Sequence, residues 1–152
     1  MDAIILSKRL DFISLSVGPG SYSGIKVGVS FIKGFSLATK IPIVPVNQFL
    51  CFNNQIKDKG YYYICLYSHR DNVFYQLYKN GEPISEQICS NFSDLNPDYN
   101  IYGYNLDMFS DINYIKIDPS SKDIGLYAYE NYNSLLIKDP DKLESIYLVK
   151  KV

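Results

Sequence analysis

Hydrophobic and polar positions along the 152-residue chain change period several times, and each change marks an element. Residues Phe12 to Val17 alternate and are rich in β-formers, which predicts a strand. Gly18-Pro19-Gly20 then forbids regular structure, because glycine admits positive φ and proline lacks a donor. Helical periodicity begins at Gly24 and runs to about Lys40, with Ser21 or Ser23 placed to cap its first turn. A second strand at Ile43–Val46 completes a β–α–β unit with short joints. Its strands should be parallel with a right-handed crossover. Met1 to Leu10 reads as the tail of a helix arriving at the first strand. Asn47 predicts the cap of a short helix to about Asn54.

The charged, turn-like run Gln55 to Gly60 is where a lobe boundary is expected, dividing residues 1–58 from 59–152. Beyond it, Tyr61–Ser68 and Asn72–Lys79 predict an antiparallel hairpin joined by His69-Arg70-Asp71 and closed at its far end by Asn80-Gly81. Further strands are expected at Pro83–Cys89, Ile101–Gly103 and Tyr114–Ile117. A helix is expected over Ser121–Tyr132, a loop at Lys138–Lys142 and a last extended segment at Ile146–Val149. On the first hairpin strand, Tyr61, Tyr63 and Tyr67 share one face, and Tyr62, Ile64 and Leu66 the other. With basic neighbours sparse, half-buried sheet packing is a better reading of these tyrosines than stacking on RNA bases.

The helix after the glycine turn carries apolar or small residues over an arc of roughly 220°, against about 100° needed to face one core. Lys26, Ser30, Lys33, Leu37 and Lys40 form the remaining stripe, read as a solvated face. A helix apolar on more than one side needs cover on more than one side. One cover is its own sheet, and the other is a further helix, a partner chain, or both.

Composition narrows the class. Hydrophobic residues at 47% and charged residues at 20% are globular values, so wholesale disorder is excluded. A net charge of −1 gives no global attraction for nucleic acid. Cys51, Cys65 and Cys89 are odd in number and widely spaced, which argues for buried thiols in a reducing compartment over disulfides or zinc. Only four apolar residues lie between Asp2 and Lys8-Arg9, which is no signal peptide, and no apolar run reaches membrane-spanning length. A soluble cytoplasmic protein is expected.

Candidate chemistry is sparse. The loop residues Gly18, Gly20, Ser21, Ser23 and Gly24 precede a helix start, where bare amides can hold an anion or nucleotide phosphate. However, the loop lacks the Walker lysine and does not fit a GxGxxG spacing, so a structural turn is the preferred reading. His69 is the single histidine in the sequence and falls in a turn, which leaves no metal site and no Ser–His–Asp triad to build. No catalytic residue is assigned.

The run Ser16-Val17-Gly18-Pro19-Gly20-Ser21-Tyr22-Ser23-Gly24-Ile25-Lys26-Val27-Gly28 closely resembles the GPGSFTGLRIG signature of TsaB proteins. Lys33-Gly34-Phe35 and Ile41-Pro42-Ile43-Val44-Pro45-Val46 are similar to that family's KGLA and IPVVGV, and Tyr147-Leu148-Val149-Lys150 to its terminal YLR. The resemblance implies an α/β, actin-like (ribonuclease H-like) fold with mixed sheets and flanking helices. The family's opening hairpin, with its IDTS-like phosphate loop, and its first long helix have no counterpart before Phe12. A truncated amino-terminal lobe is therefore expected, from a shortened chain, a late start codon or a separate polypeptide. Where the family usually has Asp-Ala-Arg, this chain has Tyr67-Ser68-His69 followed by Arg70.

By the same resemblance the chain is expected to be a non-catalytic scaffold or dimerisation subunit of the machinery that makes tRNA N6-threonylcarbamoyladenosine. It would pair with a TsaD-type catalytic paralogue, be joined by a TsaE-type ATPase, and meet tRNA only through the complex. A homodimer is a further option, and no cofactor beyond weak nucleotide binding is implied. The expected partner surface is Ile25, Gly28, Val29, Ile32 and Phe35, with Val29 towards the partner and Phe31 towards the sheet. The alternatives are an actin-like ATPase, a glycopeptidase-type enzyme and a decayed remnant.

Overall fold

The alternating run before the glycine turn forms β1 (Ile13–Gly18), the periodic run forms α1 (Tyr22–Thr39), and β2 (Ile43–Asn47) follows. The structure is a computed structural model and describes residues 10–109 and 112–149. The expected helix tail at Met1–Leu10 lies outside these residues except for Leu10. β1 and β2 pair in parallel from Ile13↔Ile43 to Gly18↔Asn47, with an irregularity between Ser16 and Gly18 where the chain leaves the sheet.

Contacts divide the chain into two units. The first comprises residues 1–48 and 120–146, the second residues 49–119 and 147–152. This differs from the expected division at residue 58, because α3 (Ser121–Glu130) packs on β1 and β2 through Ile124 and Ala128, and the segment after it stays there. Ile137 exchanges two backbone hydrogen bonds with Ile43, at 2.8 and 2.7 Å, along the free edge of β2. Between α3 and this bridge runs the short α4 (Tyr132–Leu135). The core of the unit is Val17, Val29, Ile43 and Leu143, with Leu15, Ile25, Ile32, Ile137 and Ile146 packed against it.

In the second unit, α2 (Gln48–Asn53) leads to a six-stranded sheet of β3 (Tyr61–His69), β4 (Asn72–Lys79), β5 (Glu82–Pro83), β6 (Ile88–Asn91), β7 (Asn100–Tyr104) and β8 (Ile115–Lys116). The order is β5-β4-β3-β7-β8, and β6 also pairs with β4. The β3–β4 hairpin is antiparallel, and β3–β7 and β7–β8 are parallel. β3 is buried on both faces, not one. Tyr62, Ile64 and Leu66 join Phe49, Phe52 and Phe74, while Tyr63 and Cys65 join Val73, Ile101 and Leu106. Tyrosine tolerates that depth because its hydroxyl finds a partner: Tyr62 donates to Asn53 Oδ1 at 2.6 Å. All three cysteines are buried and none is in a disulfide, and burial pushes the Cys65 thiol well above its ordinary range.

Three expected strands depart from the sequence pattern, the one at Tyr114–Ile117 being reduced to Ile115–Lys116. Between β5 and β6 the Ser85 hydroxyl takes the Leu77 N–H at 2.9 Å, and Ser85 O accepts from Gln76 Nε2, so side-chain bonds replace the ladder there. The segment Ile146–Val149 forms no strand, and its Ile146 N–H donates to Val17 O at 2.8 Å.

Candidate functional site

The glycine corner is a packed turn. Gly18 is buried with φ of 109°, a backbone state that favours glycine. A Cβ there would lie 2.8 Å from Ile146 O and 2.9 Å from Ile25 Cδ1. Close approach of its own chain therefore accounts for this glycine. Ser21 is the cap: its hydroxyl accepts from Gly24 N at 3.4 Å, and its carbonyl accepts from Ile25 N at 2.9 Å. Ser23 lies in the first turn and is exposed, as are Ser21 and Gly24, while Gly20 is half-buried. The first turn of α1 carries no acidic residue, and Lys26 Nζ sits 4.1 Å over the Tyr22 ring.

α1 itself has two opposite apolar stripes. Ile25, Val29, Ile32 and Ser36 follow one another at helical spacing, and they turn inward. Val29 and Ser36 are buried, and Ile25 and Ile32 pack on the core of Val17, Ile43 and Leu143. Ser36 can be buried because its hydroxyl donates to Ile41 O at 2.6 Å. Two residues further on, about 200° round the helix, lie Val27 and Phe31, which are 69% and 67% exposed.

These positions reverse the expected orientation of Val29 and Phe31 and divide the residues expected to meet a partner. Ile25, Val29 and Ile32 belong to the chain's own core, and Phe31, expected against the sheet, faces outward. Phe35 is half-buried with its ring 6.2 Å from that of Phe31, and Gly28 is half-buried. The outward residues are Val27 and Phe31, of which Phe31 was expected against the sheet. A Cβ at Gly28 or Gly34 would meet nothing within 4 Å among the described residues, so none of these requires glycine there. Each costs about 1 kcal/mol relative to alanine in a helix interior.

His69 lies at the end of β3 with Nδ1 2.9 Å from Ser68 Oγ and Nε2 3.3 Å from Asn72 Nδ2. Its side-chain hydrogen-bond partners among the described residues are these two. Among the described residues no three His, Cys, Asp or Glu side chains group so as to hold a metal ion. No described helix is long and apolar enough to cross a membrane.

The chain is 43% identical over 47 residues to a tRNA N6-adenosine threonylcarbamoyltransferase of Fusobacterium nucleatum, covering 31% of this chain and 14% of that protein. It is 36% identical over 47 residues to the tRNA threonylcarbamoyladenosine biosynthesis protein TsaB of Buchnera aphidicola, 31% of this chain and 22% of that one. These alignments span less than a quarter of either relative. In fold, the chain superposes on YeaZ from Pseudomonas aeruginosa with a TM-score of 0.69 at 12% identity, over 93% of this chain and 76% of that one. A second structure, of an uncharacterized protein with similarity to peptidase YEAZ from the same organism, gives a TM-score of 0.69 at 13% identity, over 94% and 76%. The α/β architecture is thus the actin-like, ribonuclease H-like fold expected from the sequence. Residues 2–107, well over half of the chain, match the family described as tRNA N6-adenosine threonylcarbamoyltransferase (TsaD), and the chain belongs to that family as a TsaB-like member.

Proposed function

We propose that this chain is a non-catalytic subunit of the complex that makes tRNA N6-threonylcarbamoyladenosine, and that it pairs with a TsaD-type paralogue through the outward stripe of α1. The observation that carries this reading is the bare stripe itself. Val27 and Phe31 are about two-thirds exposed on the helix that directly follows the signature loop, on the side away from the unit's own core. Exposed apolar side chains placed together on one helix face indicate a protein contact. Gly24 and Gly34 beside them allow a second helix backbone to come close, and Lys26 on the helix and Lys40 at its C-cap are exposed to meet an acidic rim.

The glycine loop serves this arrangement as a turn. Its first glycine is filled by Ile146 and Ile25, and Ser21 already accepts one of the helix-start amides. A phosphate cradle would need those amides free to point at the anion. The chain accordingly turns over no nucleotide, holds no metal, and contacts tRNA through the assembled complex in the cytoplasm. A TsaE-type ATPase joins the pair, and any homodimer uses the same stripe and competes with the paralogue. The sequence names of the relatives and the shared fold support the assignment to this complex.

Co-expression with a tagged TsaD-type paralogue tests the proposal. The unmodified chain should co-purify in equal amounts, and Phe31→Lys should stay folded and be lost from the eluate. Retention of a folded Phe31→Lys chain at full stoichiometry would refute the interface.

A further inference from the structure

Asn80-Gly81 is the single Asn-Gly pair in the sequence, and it forms the two-residue turn between β4 and β5. Asn80 has φ of 53° and Gly81 of 87°, with Lys79 paired to Glu82 across the turn. Left-handed φ at both central residues is the reason this dipeptide suits such a hairpin. The same dipeptide carries a chemical liability, because Gly81 has no Cβ to shield its backbone nitrogen from the Asn80 carboxamide. Asn80 is exposed, so water reaches it.

Three hydrogen bonds tie down this tip. Asn80 N donates to Gly60 O at 2.9 Å, and Gly60 N donates back to Asn80 Oδ1 at 2.9 Å. Asn53 Nδ2 donates to Gly81 O at 2.8 Å, and Asn53 is itself held by the buried Tyr62 hydroxyl. The carboxamide is thereby turned onto the Gly60 amide. Asn53 holds the next peptide, that of the Gly81 carbonyl, and so restrains rotation of Gly81, whose nitrogen is the attacking atom.

We propose that Asn80 is a deamidation site gated by opening of this hairpin tip. In the step itself, Gly81 N forms a bond to Asn80 Cγ while the Cγ–Nδ2 bond breaks. The Gly81 amide proton passes through water to the departing nitrogen, which leaves as ammonia, and a five-membered succinimide closes. Water then adds to one of the two ring carbonyls and opens it, giving aspartate or isoaspartate at position 80. No oxidation or reduction takes place. Aspartate keeps an acceptor for the Gly60 N–H, now charge-assisted, so the turn survives. Isoaspartate lengthens the main chain by one methylene, which the two-residue turn cannot accommodate, so that product holds the tip open.

The full chain, incubated in mildly alkaline buffer and followed by peptide mapping and an isoaspartyl methylation assay, tests this. Conversion should concentrate at Asn80 and proceed at least about tenfold faster in urea than in the folded chain, since folded chains react through local opening. Asn53→Ala, if its melt shows that it folds, should speed conversion in the folded state several-fold. Equal rates in the folded and urea-unfolded wild-type chain would overturn the gating whatever the variant does. Conversion mainly at another asparagine would overturn the assignment, and a folded Asn53→Ala chain with an unchanged rate would remove Asn53 as a tether.

Discussion

Placing a lysine at Val29 and, separately, at Phe31 gives opposite outcomes on one helix. Val29 is 8% exposed and packs among Val17, Ile43 and Leu143. Removing its buried side chain forfeits about 1.5 kcal/mol at the low end for a buried aliphatic group. The lysine must then leave its ammonium without a partner or drag its stem through packed side chains to reach water. A total of about 3–5 kcal/mol follows, a large share of the ~5–15 kcal/mol that holds a domain together. For a small domain that lowers the thermal midpoint by on the order of 10–20 °C or unfolds the unit outright. Phe31 is 67% exposed, so lysine there should change stability within about 0.5 kcal/mol, and lysine is the better helix former. Circular-dichroism melts of Val29→Lys and Phe31→Lys measure this directly. Equal midpoints for the two variants, or a larger loss at Phe31, would refute the assignment of the helix faces.

Glycines on the two sides of the first unit should respond with opposite signs. Gly18→Ala adds a Cβ 2.8 Å from Ile146 O at φ of 109° and should destabilise by about 2 kcal/mol or more, read from urea midpoints. Gly34→Ala meets open space and should stabilise the isolated chain by up to about 1 kcal/mol while weakening the complex with the paralogue. Alkaline pH should loosen the second unit. Burial raises the Cys65 thiol above its ordinary 9.0, and burial, then Asp58 and Tyr102, raise the Tyr62 phenol above 10.0. The unfolded chain releases these protons first, so the stability they contribute is fully present below pH 9 and is lost as pH rises towards the folded values. The urea midpoint should be flat from neutral pH to there and fall beyond, less steeply in Cys65→Ala. An equally steep fall in that variant would assign the loss to other groups.

The β–α–β corner was legible because hydrophobic period changes from two to 3.6 across Gly18-Pro19-Gly20 and back after Lys40, and local chemistry alone fixes each piece. The orientation of α1 was not. Its inward and outward stripes are both apolar, and the inward one ends on Ser36, which a hydrophobicity wheel counts as outward until its bond to Ile41 O is known. The return of α3 to the first unit was hidden for another reason: its partners β1 and β2 lie far earlier in the chain, and no local signal encodes a distant docking. The run from Tyr61 to Tyr67 is almost continuously apolar, a pattern of strands buried on both faces. Reading it as alternating underestimated its burial. The signature loop was legible as a turn and as a family mark, whereas its close contact with Ile146 required the fold.

The most direct test of the central claim is modification of tRNA in a reconstituted system. Purified TsaD-type paralogue, TsaE-type ATPase, threonylcarbamoyl-adenylate and unmodified tRNA are combined with or without this chain, and N6-threonylcarbamoyladenosine is measured by mass spectrometry of the digested tRNA. Modification should require both the paralogue and this chain, fail with Phe31→Lys, and be absent when this chain is the sole protein. Modified tRNA from this chain alone would contradict a non-catalytic role, and a yield that is the same with and without the chain would contradict its membership of the complex.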